Sequence, residues 1–158
     1  MKLNRFLCVA AIMTTFASPA FADAGHSHGD QRPYGEPGDP SKPAKVVQVT
    51  MLEKEDGSMV FEPRELTIKR GQQVKFVLGN NGELDHEFVV ATVEDNLKHA
   101  IEMQKNPDME HDDPNAKRLA PGSKSEIVWK FTKAGKFDFS CLIPGHRESG
   151  MFGTIVVH

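Results

Sequence analysis

From Lys45 to the C-terminus, apolar residues recur at alternate positions in short runs, and each run is cut by glycine, asparagine or proline. A period of two puts every second side chain on one face of an extended chain. Such runs bury that face only by packing sheet on sheet. Val46-Val47-Gln48-Val49-Thr50-Met51 opens the series, followed by Phe61 to Ile68, where Leu66 and Ile68 alternate with polar neighbours. Gly71 precedes Val74 to Leu78, and the turn Asn80-Asn81-Gly82 precedes His86 to Val90. Glu126 to Phe131, Lys136 to Cys141 and Phe152 to Val157 complete the set. Short strands separated by turn signals in this way predict an all-β antiparallel sandwich. One short helix is expected inside it. Thr92 with Asp95 offers a capping box, Leu97, Ala100 and Ile101 share a helical face, and Asn106-Pro107 ends it. Asp108 to Pro121 reads as a polar, acid-rich loop.

The N-terminal 43 residues do not follow this pattern. Lys2 and Arg5 precede an apolar run from Phe6 to Phe16, and Ala20-Phe21-Ala22 is a small-x-small cleavage site. Residues 1–22 therefore read as an export signal, too short in its apolar part to span a membrane, and the product is expected in the periplasm. Residues 23–43 contain four prolines, four glycines, His26 and His28, and almost nothing apolar besides Tyr34. This composition predicts a disordered arm ahead of a single domain over 44–158. The chain has 19 basic and 22 acidic residues; Lys2 and Arg5 leave with the signal, so the remainder is net −5 with histidines neutral. That balance argues against a nucleic-acid partner.

Cys141 is the only cysteine outside the signal. An exported protein with one cysteine has no disulfide to make within the chain, and the neighbours of Cys141 suggest a different use. Cys141, His146 and Met151 fall within eleven residues, on a turn between two strands. A thiolate, an imidazole and a weak thioether, joined by a second histidine, are the donors that select copper in a type 1 site. His86 supplies that histidine. On their strands His86, Phe88 and Val90 share one face, as do Phe137, Phe139 and Cys141, so both donors continue core-facing rows. Structural zinc is a poor competitor, since closed zinc sites usually take cysteine or histidine at all four positions. His26, His28, Met109 and His111 are candidate accessory copper ligands.

These residues resemble a cupredoxin over roughly Lys45 to His158. The resemblance rests on His86, the Cys141/His146/Met151 loop, the closing strand Phe152 to Val157, and Phe61-x-Pro63-x-x-Leu66-x-Ile68-x-x-Gly71. It implies a Greek-key sandwich in which His86, Cys141 and His146 are equatorial ligands of one copper ion and Met151 is axial. The four-residue gaps on either side of His146 resemble rusticyanin more than plastocyanin. The histidine-bearing arm, the Met109/His111 loop and the export signal resemble the CopI group of periplasmic copper-tolerance cupredoxins. Asp85 stands where azurin-like relatives carry asparagine. It is expected to accept backbone N–H groups near Cys141 and to lower the reduction potential.

The function expected from this reading is copper binding with Cu(II)/Cu(I) cycling in copper tolerance, by a monomer without a membrane anchor. Its partners are copper ions, with a redox partner or copper-handling protein beside them. A soluble respiratory electron carrier is the alternative; the polar run Arg147-Glu148-Ser149 after the second histidine argues against it. No enzyme activity is expected beyond, at most, cuprous-ion oxidation.

Overall fold

The computed structural model describes residues 32–106 and 113–158. They form two five-stranded sheets packed face to face. The first contains β1 (Glu36–Pro37), β2 (Lys45–Glu53), β3 (Met59–Glu62), β5 (Gln73–Asn80) and β8 (Lys124–Lys130), in the order β1-β8-β5-β2-β3. The second contains β4 (Glu65–Ile68), β6 (His86–Ala91), β7 (Ala116–Leu119), β9 (Gly135–Ser140) and β10 (Phe152–Val157), in the order β4-β10-β9-β6-β7. The helix α1 (Val93–Lys105) follows β6. The sandwich is as expected, but two of its pairings are parallel, β2 with β5 and β4 with β10. Between β2 and β5 the chain leaves the first sheet through β3, visits the second as β4 and returns. Such a crossover lets β5 arrive running in the same direction as β2.

The expected run Phe61 to Ile68 is therefore two strands in different sheets. Pro63 sits at the crossing, where its missing N–H costs no ladder bond, and the carbonyl of Arg64 accepts from Thr154 N at 2.8 Å. Along β5, alternate side chains Val74, Phe76, Leu78 and Asn80 are buried. The main core is aromatic: Phe88 lies 5.2 Å from both Phe76 and Phe139, and Phe61 5.2 Å from Phe139, measured between ring centroids. These tilted and edge-on contacts fill the space between the sheets at distances aromatic rings favour.

Three expectations are corrected. The helix caps as expected, with Asp95 N donating to Thr92 Oγ1 at 3.0 Å, but its buried face carries Asn96 and Met103, with Ala100 partly covered. Leu97 and Ile101 face solvent. Asn96 is turned inward because its amide donates to Val89 O at 3.3 Å and Asp138 Oδ2 at 2.9 Å, a polar docking that apolar periodicity does not register. Second, β7 lies in the stretch expected to be loop. Ala-Lys-Arg-Leu has little strand propensity, and pairing with β6 holds it extended. Third, the arm expected over 23–43 is held on the domain from Arg32 onward. Tyr34 stacks on Trp129 at 5.8 Å, and its carbonyl accepts the Trp129 indole N–H at 2.9 Å. A Cβ at Gly35 would lie 2.2 Å from Lys130 O, so only glycine permits this approach. The signal and the rest of the arm lie outside the described residues.

Candidate metal centre

His86 begins β6, and the turn before it is held from two sides. Asn80, fully buried at the end of β5, donates to Leu84 O at 2.8 Å and Leu119 O at 2.9 Å, and accepts from Gly82 N at 2.9 Å. Glu53, at the end of β2, accepts from Glu83 N at 2.9 Å and Leu84 N at 3.0 Å. The turn thus delivers His86 with little freedom. Burial alone would raise the Glu53 carboxyl, but these N–H groups and the nearby His86 hold it below its ordinary value.

Cys141 follows β9, and β9 is the antiparallel neighbour of β6, with Val90 opposite Phe139. This register brings Cys141 beside the start of β6, where Glu87 N donates to its Sγ at 3.3 Å. The loop then closes on itself. His146 N donates to Ile143 O at 3.0 Å, Met151 N to His146 O at 3.1 Å, and Cys141 N to Met151 O at 3.1 Å. Gly145 and Gly150, at φ of 89° and 99°, supply the left-handed turns that fold His146 back toward Cys141. Arg147 is turned inward as well, donating to buried Asp138 at 2.7 Å and lying 4.9 Å over the Phe152 ring. The carboxylate of Asp138 also accepts from Asn96 and Ser140, each at 2.9 Å. One buried acid therefore ties the ligand loop to β9 and α1.

These constraints bring three donors together. His86 Nδ1 lies 3.2 Å from His146 Nδ1, and Cys141 Sγ lies 3.4 Å from the same nitrogen. His86 and Cys141 are fully buried and His146 is 8% exposed. Two nitrogens about 2.0 Å and a sulfur about 2.3 Å from one ion, at angles near 105–110°, would be separated by about 3.2 Å and 3.5 Å. The spacing fits a single small metal ion, and a thiol with two imidazoles fits copper or zinc by donor type. Met151, fully buried in the main core, closes the loop from the far end.

Burial shapes the protonation states. It pushes the Cys141 thiol up to about 12, against the backbone N–H groups of Glu87 and Ile143. It holds both imidazoles below their ordinary range; near His86 the carboxylates of Glu53 and Asp85 oppose that effect. The histidines are therefore neutral donors at neutral pH. The thiol gives up its proton when a soft or borderline metal ion binds its sulfur.

Of the sequence-predicted residues, His86, Cys141 and His146 meet, and Met151 lies in the same loop. Asp85 does not take the expected role. Its carboxylate, half-exposed in the turn just before β6, accepts from Arg118 Nε and lies 3.2 Å from Arg118 Nη2, while Cys141 N is engaged by Met151 O. The charged guanidinium on adjacent β7 is the stronger partner. His26, His28, Met109 and His111 lie outside the described residues. Sequence reasoning missed Glu53, Asn80 and the Asp138–Arg147 pair. Asn80 had a signal, a polar residue at the inward phase of β5; Glu53 had none.

The family model described as copper binding proteins, plastocyanin/azurin family, matches residues 48–158. The chain is 48% identical over 161 residues to the copper-resistant cuproprotein CopI of Rubrivivax gelatinosus, covering 96% of this chain and 93% of that protein. It is 32% identical over 183 residues to the protein of the same name from Pseudomonas aeruginosa, covering 98% and 97%. Among solved structures, an auracyanin from the photosynthetic bacterium Roseiflexus castenholzii aligns with a TM-score of 0.61 at 22% identity, over 74% of this chain and 99% of that one. This last likeness concerns the fold alone.

Proposed function

Because this chain belongs to the plastocyanin/azurin family of copper-binding proteins, and is similar along nearly its whole length to copper-resistant cuproproteins, we propose that it is a periplasmic copper-tolerance protein. His86, Cys141 and His146 would hold one type 1 copper ion, with Met151 as a further, weak thioether donor. The observation that carries this reading is the buried convergence of two imidazole nitrogens and one sulfur, at 3.2 Å and 3.4 Å. Copper, when bound, supplies one-electron cycling between Cu(II) and Cu(I).

The protein's part is to present the donors and keep them still. Cys141 binds as thiolate, and the Glu87 N–H aimed at its sulfur stabilises that negative charge. His86 and His146 are already neutral and lose no proton on binding. The hydrogen bonds around Asn80 and within the Cys141–Met151 loop resist movement of the donors as their charge environment changes. We read the chain as a binding protein rather than an enzyme, since residues 44–158 contain no His-x-His pair to build further copper sites. An export signal over residues 1–22 supports the periplasmic assignment. Among the described residues no helix is long and apolar enough to cross a membrane.

Two results test this. The copper-loaded protein is expected to show an intense visible thiolate-to-copper band that vanishes in Cys141→Ala. A strain lacking the gene is expected to become copper-sensitive; unchanged tolerance with impaired respiration would instead establish the electron-carrier reading. One observation keeps that second reading in play. Arg147 points inward, while Leu84 and Phe152 are 45% and 39% exposed, so the surface near the candidate site is less polar than the sequence suggests.

A further inference from the structure

Glu53 lies on the first sheet, 33 positions before His86, yet its carboxylate reaches that imidazole. Glu53 Oε1 is 2.9 Å from His86 Nε2, the ring nitrogen on the side away from His146 and Cys141. The carboxylate does not depend on His86 for its position, because Glu83 N and Leu84 N donate to its two oxygens at 2.9 Å and 3.0 Å. Space is reserved for it as well. A Cβ at Gly82 would fall 2.2 Å from Glu53 Oε2 and 2.8 Å from Glu53 Cδ. Gly82 is not among the glycines with positive φ, so the backbone there accepts other residues and glycine serves to leave room.

Resting on the metal-site reading above, we propose that Glu53 is a positioning residue for the copper centre: it fixes the His86 ring with Nδ1 toward the metal, and its charge favours Cu(II) over Cu(I). A carboxylate facing Nε2 keeps the imidazole proton on that nitrogen, which leaves the Nδ1 lone pair for coordination. The negative charge beyond the ring makes Nδ1 a stronger donor, and the more highly charged ion gains more from this. The expected Asp85 effect is thereby reassigned to a residue in the other sheet.

The test uses purified wild type, Glu53→Gln and Gly82→Ala, each loaded with Cu(II) and examined by voltammetry. Glu53→Gln removes the charge at nearly constant shape. Gly82→Ala keeps the charge and pushes the flexible carboxylate away from its place. Both are expected to lower the ratio of cupric to cuprous affinity, by about tenfold for Glu53→Gln, which reads as a potential raised by about 59 mV. In copper-free wild type, long-range proton–nitrogen NMR is expected to show His86 protonated at Nε2. A wild type that takes up no Cu(II) would sink the metal-site reading together with this inference. A wild type with the visible band, whose potential is unmoved or falls in both variants, would overturn the role of Glu53 alone. So would a copper-free His86 protonated at Nδ1.

Discussion

Arg147→Met should cost the copper-free domain about 4 kcal/mol, and adding Asp138→Asn should return most of that loss. Asp138 and Arg147 side chains are 4% and 14% exposed, and their contact is 2.7 Å. Removing one member of a buried ion pair typically costs about 3–5 kcal/mol, because the other charge is left without its partner. Here Asn96 and Ser140 still donate to the carboxylate, which holds the cost toward the lower end. Loss of the guanidinium over Phe152 adds about 0.5–1 kcal/mol, part of which methionine packing recovers. In the double variant no charge is stranded, and the replacement amide still accepts from Asn96 and Ser140. The residual cost should then be about 1–2 kcal/mol, so adding Asp138→Asn returns about 2–3 kcal/mol of the loss, and the coupling exceeds this by the cost of Asp138→Asn alone. Urea unfolding of the wild type, both single variants and the double variant measures it. Copper is left out because a ligand that binds only the native state would mask the difference. The reasoning fails if Arg147→Met costs under about 1 kcal/mol, or if the two single losses simply add in the double variant.

Further outcomes follow from the same geometry. Above about pH 8.5 the unfolded Cys141 thiol ionises while the native one, pushed up to about 12, keeps its proton. Copper-free stability should therefore fall by about 1.4 kcal/mol per pH unit as this group's contribution, a slope that Cys141→Ala should abolish in urea titrations. On the acid side both buried histidines sit below their ordinary range, so below about pH 6.5 the unfolded chain takes up protons the native state refuses. Copper-free stability should drop there, and a flat profile between pH 7 and 5.5 would contradict it. Cupric uptake at pH 7 should release about one proton per ion, from Cys141, measurable by calorimetry in buffers of different ionisation enthalpy. Gly35→Ala places a Cβ against Lys130 O at a φ of 124°. It should cost about 1–3 kcal/mol and red-shift Trp129 emission by loosening Tyr34 from the indole, whereas unchanged emission would show the segment is held elsewhere.

The strands that carry the core were legible because burial on one face writes a period of two into the chain. Val74, Phe76 and Leu78 show it, as do Phe137, Phe139 and Cys141. The places where that reading failed share one physical reason. β7 is extended because β6 needs a neighbour, α1 is docked by an amide rather than by Leu97 and Ile101, and residues 32–38 are held by the pairing of β1 with β8, by Tyr34 on Trp129 and by the Gly38 N–H on Val128 O. In each case a partner distant in sequence decides, and a local window contains no trace of it. The single tyrosine in an otherwise polar stretch was the only hint.

The candidate site shows the same division more sharply. Donor identity is local chemistry: a lone cysteine, a histidine and a methionine on one loop name their metal before any fold is known. What tunes the donors is tertiary. Adjacency to His86 pointed to Asp85, but successive side chains of an extended chain point to opposite sides, and Asp85 is turned to Arg118, both side chains partly exposed. The residue that can act on the His86 ring must lie beyond its far nitrogen, across the sandwich, and the end of β2 supplies it. Ligands can therefore be read from the chain, while their environment requires knowing which sheet faces which. Relatives with the same candidate donors need not share a potential unless they also share an acid at the end of β2 and a glycine at the turn that makes room for it.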